Sequence, residues 1–421
     1  MRDMFRPLSV LVIKVTRFGK LLIQMSLLFL GLSATAATPR TLDGFLRDGR
    51  IQEGLVAFGS PKNNADRFSL AVLQVLDGLQ QFSAGSSKLG INPQFIRSGL
   101  PFFRVMAMPP STLLASNQVV TPDKVAALFN NLRDSMKKAN ATLAGINETA
   151  FKVELNLTLA RMDIDGDGIV APDEMILTKL GGVLGLPAQP AAGQDIIVRF
   201  DSADAVWLKG YTHLLIGMLD ILMAYDWHPV WNQCAHVVFL NPDPVPPIAP
   251  FTSNSQSEMF SQWADLIAGV HDMRLELVDP EGFPNAQKEF KAMIVCSRIC
   301  WQRVLAETDN DHEWLPSPRQ TGPAGTKITQ AQVDGWMKVL DELDAILAGQ
   351  KLLPHWRAKN GTGINVTKLV ASPPRLDLIL FVQGSAFVPY FEEGTVSDRS
   401  AWRTLMEPFG PGFARFAIWS N

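Results

Sequence analysis

Apolar positions recur at helical spacing along most of this chain. FSLAVLQVLDGLQQF, Phe68 to Phe82, places them at i, i+3 and i+4 and predicts a helix. Thr121-Pro122 opens a second helix, with Thr as cap and Pro at the first position, running to about Leu143. In AFKVELNLTLARM, Phe151, Leu155 and Leu159 fall four apart and predict a helix ahead of the acidic loop Asp163 to Glu174; a short helix from Pro172 to Leu180 is expected after it. Asp201, with Asp204 three residues on, caps the next helix. There Trp207, Tyr211, Leu215, Met218, Leu222 and Tyr225 form one stripe; the opposite side is also largely apolar, so this is expected to be a central buried helix. Ser255 with Glu258, and Thr329 with Gln332, read as capping boxes, and Gln287 to Ala306 gives one more helix. LDLILFVQGSAFV, Leu376 to Val388, is rich in branched and aromatic residues and predicts a short strand or hairpin. The fold class expected is mainly α: multi-helix, with one helix-loop-helix around the acidic loop and a small β hairpin near the C-terminus.

Ser83 to Pro110 reads as a loop rich in Gly, Ser and Pro, and LGLPAQPAAGQD, Leu184 to Asp195, as a linker. All ten Trp and all three Tyr follow that linker. The organisation expected is therefore a helical domain at 37–190 containing the acidic loop, and a second, Trp-rich, mainly helical domain at 191–421 with short C-terminal strands.

Residues 1–36 read as a signal peptide. Arg2, Arg6, Lys14, Arg17 and Lys20 face one acid, Asp3; LLIQMSLLFLGL follows, then the small-x-small site Ala34-Thr35-Ala36. Export to the periplasm or the medium is expected. The whole chain has 38 basic and 41 acidic side chains; without residues 1–36 it has 33 and 40, a net of −7. It has no basic run, which argues against nucleic acid or acidic lipid as a partner. No later stretch reads as a membrane span, since Lys209, His213 and Asp220 interrupt the most apolar one. A protein partner is left open.

The chemistry concentrates in DIDGDGIVAPDE. Calcium is a hard cation that takes six to eight oxygens, and a twelve-residue loop can offer them at positions 1, 3, 5, 7, 9 and 12. Asp163, Asp165 and Asp167 put carboxylates at the first three of these. Gly168 stands where the chain turns sharply. Ile169 would give its carbonyl and turn its side chain toward the core. Ala171, with no side-chain oxygen, would act through water. Glu174 is long enough to bind with both oxygens. At these residues the stretch resembles an EF-hand loop and matches every demanding position of D-x-[DN]-x-[DN]-G-x5-E. The resemblance implies a helix–loop–helix site for Ca2+, with Asp163, Asp165, Asp167, Ile169, Ala171 and Glu174 as ligands. DIDGDGI also resembles a dockerin repeat, although dockerins carry two loops and usually lack the final Glu. A permanently loaded, structural ion is expected in an exported protein, where even a weak site fills.

Other residues give competing readings. DNDHE, Asp309 to Glu313, alternates acids but has Trp314 where Gly is needed, and reads as an acidic loop. Cys234, His236, Cys296 and Cys300 are a zinc alternative to plain buried thiols or a disulfide. The late Trp residues read as core rather than as sugar platforms. The chain lacks G-x-S-x-G, P-loop and G-x-G-x-x-G motifs. Two functions stay in view: an exported calcium-binding protein that is not an enzyme, or an exported hydrolase with structural calcium. The hydrolase would have its site after residue 190, and His213, Asp220 and Asp226 are its first suspects. It would need a cleft where such groups converge.

Overall fold

In a computed structural model of the protein, the described residues are 40–91, 118–147, 149–178, 181, 186, 193–244 and 256–420. The signal stretch, the Ser255 cap and most of the linker lie outside them.

Thr41 caps α1 (Leu42–Arg47), which leads into α2 (Ile51–Phe58) and the long α3 (Asn64–Lys88). Helix α4 (Pro122–Ala144) begins as its cap and proline dictate: the Thr121 hydroxyl accepts from Lys124 N at 3.3 Å. Strands β1 (Val153–Asn156) and β2 (Ile197–Phe200) pair antiparallel, Val153 with Phe200 and Leu155 with Val198. Then follow α5 (Ser202–Met223), α6 (His228–Val238) and α7 (Gln256–Asp272). Short β3 (Arg274–Leu275) precedes α8 (Gly282–Ala306) and α9 (Gln330–Leu347). The tail runs β4 (Thr362–Ile364), α10 (Val366–Ala371), β5 (Leu376–Asp377), α11 (Leu378–Gln383), β6 (Phe391–Glu393), α12 (Arg399–Met406) and α13 (Phe413–Ser420). The fold is mainly helical with small two-stranded sheets, β1–β2, β3–β5 and β4–β6.

Helix α3 runs on through Lys88, into the stretch expected as a loop, and the helix expected from Pro172 starts at Ile176. Two further segments change type. The stretch entering the acidic loop is strand β1, not helix. FKVELNLTL alternates apolar and polar residues without a break, and this period of two outweighs the three positions that also fit a helix. Conversely, Leu378–Gln383 is helix rather than strand. Asp377 caps it, accepting from Leu380 N at 3.0 Å, and Gly384 ends it at φ +98°. Only Leu376–Asp377 of that stretch is extended, paired with β3.

The expected Asp201 cap forms, as a capping box with Asp204, and so does the anticipated Thr329–Gln332 capping box. Asp204 accepts from Asp201 N at 2.9 Å, and Gln332 accepts from Thr329 N at 2.9 Å. Helix α5 is the hub, lying between α4 and α8. Gly217 lets α8 approach: a Cβ there would stand 2.8 Å from the Phe290 ring. By length and composition α5 could cross a membrane, but it buries Asp204, Thr212 and Asp220 against its neighbours.

Thr41 to Asn421 pack as one compact unit. Phe68 packs against Phe151 and Phe200 and Phe200 against Trp314 at tilted angles, and Trp314 meets Trp207 and Trp419 edge to face. This aromatic chain crosses position 190, and β1 and β2 pair across it, so a single core spans the linker. Trp301, Trp314, Trp336 and Trp419 are buried. The Trp301 indole donates to Ser420 O and the Trp336 indole to Ser297 Oγ, which gives these polar edges partners inside the core.

Candidate metal centre

The acidic loop lies within the long connection between β1 and β2. Its seat is the flank of α3. Asp163 N donates to Gln80 Oε1 at 3.1 Å, and the Ser83 hydroxyl donates to Ile164 O at 2.7 Å. Gly166, at φ +77°, faces Ala84 so closely that a Cβ would stand 2.5 Å from the alanine Cβ. On the other side Arg161 N donates to Leu46 O at 2.8 Å. An isolated bridge between Arg161 and Met175 closes the base of the loop. Residues 176–178 and 181, directly after it, are helical. The loop thus has a strand before it and a helix after it.

Within the loop, carboxylates hold backbone amides. Asp163 accepts from Gly166 N at 2.7 Å and from Gly168 N at 3.0 Å. Asp165 accepts from Asp167 N at 3.1 Å, and Asp167 from Ile169 N at 2.7 Å. Glu174 is buried. Its Oε1 accepts from Ile164 N at 2.7 Å and Asp165 N at 3.3 Å, and its Oε2 from Ala171 N at 2.8 Å. Gly168 sits at φ +86°, the left-handed turn that its position demands.

Asp163, Asp165 and Glu174 each offer an oxygen within 4.8 Å of the other two. They are the only His, Cys, Asp or Glu group among the described residues that meets this distance. Asp167 is not in this group. Ile169 does not turn inward; its side chain is 70% exposed. Val170 is the half-buried neighbour, packed against Gly49. Ala171 is half-buried, with its amide on Glu174. Three carboxylate oxygens this close to one another could hold a hard cation.

The other candidates are not brought together. His213 Nδ1 lies 2.5 Å from Glu289, Asp220 lies 3.2 Å from Arg133, and Asp226 lies 2.5 Å from His228. Cys234, Cys296 and Cys300 are free thiols, and among the described residues no metal-holding group includes them or His236. Burial pushes Cys234 up to about 11, so it is no ready thiolate. The DNDHE loop is an ion-pair anchor. Lys152 holds Asp309 at 2.6 Å and Asp311 at 2.9 Å, and Arg199 of β2 pairs with Asp311 and with Glu154 of β1.

Beside that anchor lies an acidic cluster that sequence patterns did not reveal, because its members come from different elements. Asp204 is buried, and burial raises its pKa well above the usual range, helped by Asp201. Glu307 is pushed up to about 8 by burial and by the nearby Asp201 carboxylate, against a hydrogen bond from Gln320. A cleft of about 370 Å3 opens nearby, lined by Asp195, Asp311, His312 and the turn at Gly322 to Gly325. None of His213, Asp220 or Asp226 lines it.

Compared with protein-family models, with curated proteins and with solved structures, the chain matches none of them.

Proposed function

We propose that this is an exported calcium-binding protein in which one Ca2+ in the Asp163–Glu174 loop braces the fold. The observation that carries the reading is the meeting of the Asp163, Asp165 and Glu174 oxygens within 4.8 Å, at positions 1, 3 and 12 of the loop. Like charges this close repel, and a divalent cation between them relieves the repulsion. Asp167, the Ile169 carbonyl and Ala171 through water are the remaining ligands of this reading. The bracing role is supported by the loop's attachments: Gln80, Ser83 and Ala84 on α3, and Leu46 at the end of α1. Export is supported by the basic and then apolar run of residues 1–36.

Isothermal titration calorimetry with Ca2+ and with Mg2+ tests the site. One saturable calcium site is expected, with weaker magnesium binding because Mg2+ demands tighter octahedral geometry. Glu174→Gln should remove most of the calcium affinity. Equal calcium binding by the two proteins would sink the assignment. Amino-terminal sequencing of the exported product tests cleavage after Ala36.

A further inference from the structure

Helix α7 is inside out. Its carboxylate Asp265 points inward and lies 3.6 Å from the buried ring of His236 on α6. Gly269 faces the same side, where a Cβ would stand 3.0 Å from Cys234 Sγ. Four apolar residues face away from the body. Phe260 is 71% exposed, Trp263 59%, Ile267 66% and Val270 36%. Their spacing of three, four and three residues is the seam by which one helix packs on another, and Ala264 beside it is small and exposed. Helices packed alone in water bury such a stripe rather than present it.

The patch continues beyond α7. Leu378 N donates to Met273 O at 3.0 Å, setting α11 against the end of α7 with Ile379 and Val382 exposed. The exposed Trp356 indole donates to Val382 O at 2.9 Å. From these exposures, and with about 150–250 Å2 for a large aromatic side chain, the open apolar surface is on the order of 800 Å2. That exceeds the largest patch of a typical monomer, about 300–600 Å2. It equals one partner's share of a standard interface, about 800 Å2.

We infer that this face pairs with the same face of a second copy, α7 against α7 in antiparallel register about Asp265. A two-fold axis there sets Phe260 opposite the other copy's Val270, and Trp263 opposite its Ile267. Each layer then joins an aromatic to a smaller branched side chain, so the surface complements itself as a two-fold interface requires. A lipid surface fits less well: the chain is net acidic, and Asp272, Glu276 and Asp279 follow the seam.

Sedimentation equilibrium of the purified protein tests this. The parent should be a dimer at micromolar concentration. Trp263→Glu and Ile267→Lys each place a charge in both layers that contain them, and should weaken association about 100-fold or more. Both side chains are exposed, so each variant should keep the parent's circular dichroism and melting point. Mixing the two single variants should restore a dimer, because one layer then pairs Glu with Lys and the other keeps Trp against Ile. A parent that is monomeric at about 100 μM, or variants that dimerise like the parent, would overturn the interface. A mixture that stays monomeric would overturn the antiparallel register. A monomeric parent that floats with neutral vesicles would assign the face to lipid instead.

Discussion

Removing Glu174 separates what the loop gains from its own hydrogen bonds from what it gains from a metal. The buried carboxylate accepts from three backbone amides, Ile164, Asp165 and Ala171, at 2.7, 3.3 and 2.8 Å. Glu174→Ala leaves those amides without an acceptor. A buried unsatisfied group costs about 1–3 kcal/mol. Ile164 is buried, whereas Asp165 and Ala171 are half-buried and can recruit water, so the total should be about 2–4 kcal/mol with no metal present. Calcium adds a second quantity. A ligand at 1,000 times its dissociation constant stabilises the native state by about 4 kcal/mol, and a protein that has lost the site forgoes that increment. The assay is urea unfolding followed by tryptophan fluorescence, run with millimolar calcium and again with chelator. In chelator, Glu174→Ala should unfold at lower urea than the parent, and Glu174→Gln, which keeps one acceptor oxygen, should fall between. In calcium the parent should gain stability and both variants should gain little. If Glu174→Ala matches the parent in chelator, the three amides are not relying on that carboxylate. If the calcium increment survives in Glu174→Gln, Glu174 is not a ligand.

Glu307 makes stability depend on pH. Its value is about 8 in the folded chain against 4.5 for the free group, so between these pH values the native state holds a proton that the unfolded chain has released. Stability should therefore fall as pH rises from about 4.5 to about 8 and level off above that. Glu307→Gln should flatten some of this slope; an unchanged urea midpoint profile from pH 5 to 8.5 would refute the shift. Trp301 is fully buried, stacks on Phe416 and donates to Ser420 O. Trp301→Ala should cost about 3–5 kcal/mol, and a loss below about 1 kcal/mol in urea unfolding would mean that the core around it collapses to fill the space. Asp377 is buried, caps α11 and pairs with Arg274 at 3.1 Å, so Asp377→Ala should cost about 2 kcal/mol or more and loosen the β3–β5 pairing in hydrogen exchange.

Local rules carried the long helices. Thr121-Pro122, Asp201 with Asp204 and Thr329 with Gln332 start helices where they should, because a cap and its first turn lie within four residues of each other. The loop was legible for the same reason: twelve consecutive residues supply all of its carboxylates and its turn glycine. Where two periods competed in FKVELNLTL, the sequence held both, and pairing with β2 selected the strand. Asp377 caps and Gly384 ends a helix whose branched and aromatic residues had pointed to a strand. Tertiary structure alone decided the rest. Gln80 and Ser83 reach the loop from some eighty residues away, and no local pattern encodes that contact. Glu289 and Arg133, the partners of His213 and Asp220, come from other helices, so those pairings could not be read along the chain, whereas Asp226 pairs with His228 two residues on. One core spans the linker-like stretch because apolar faces on both sides of it bury more surface together than apart, a quantity that depends on packing in space rather than on order in sequence.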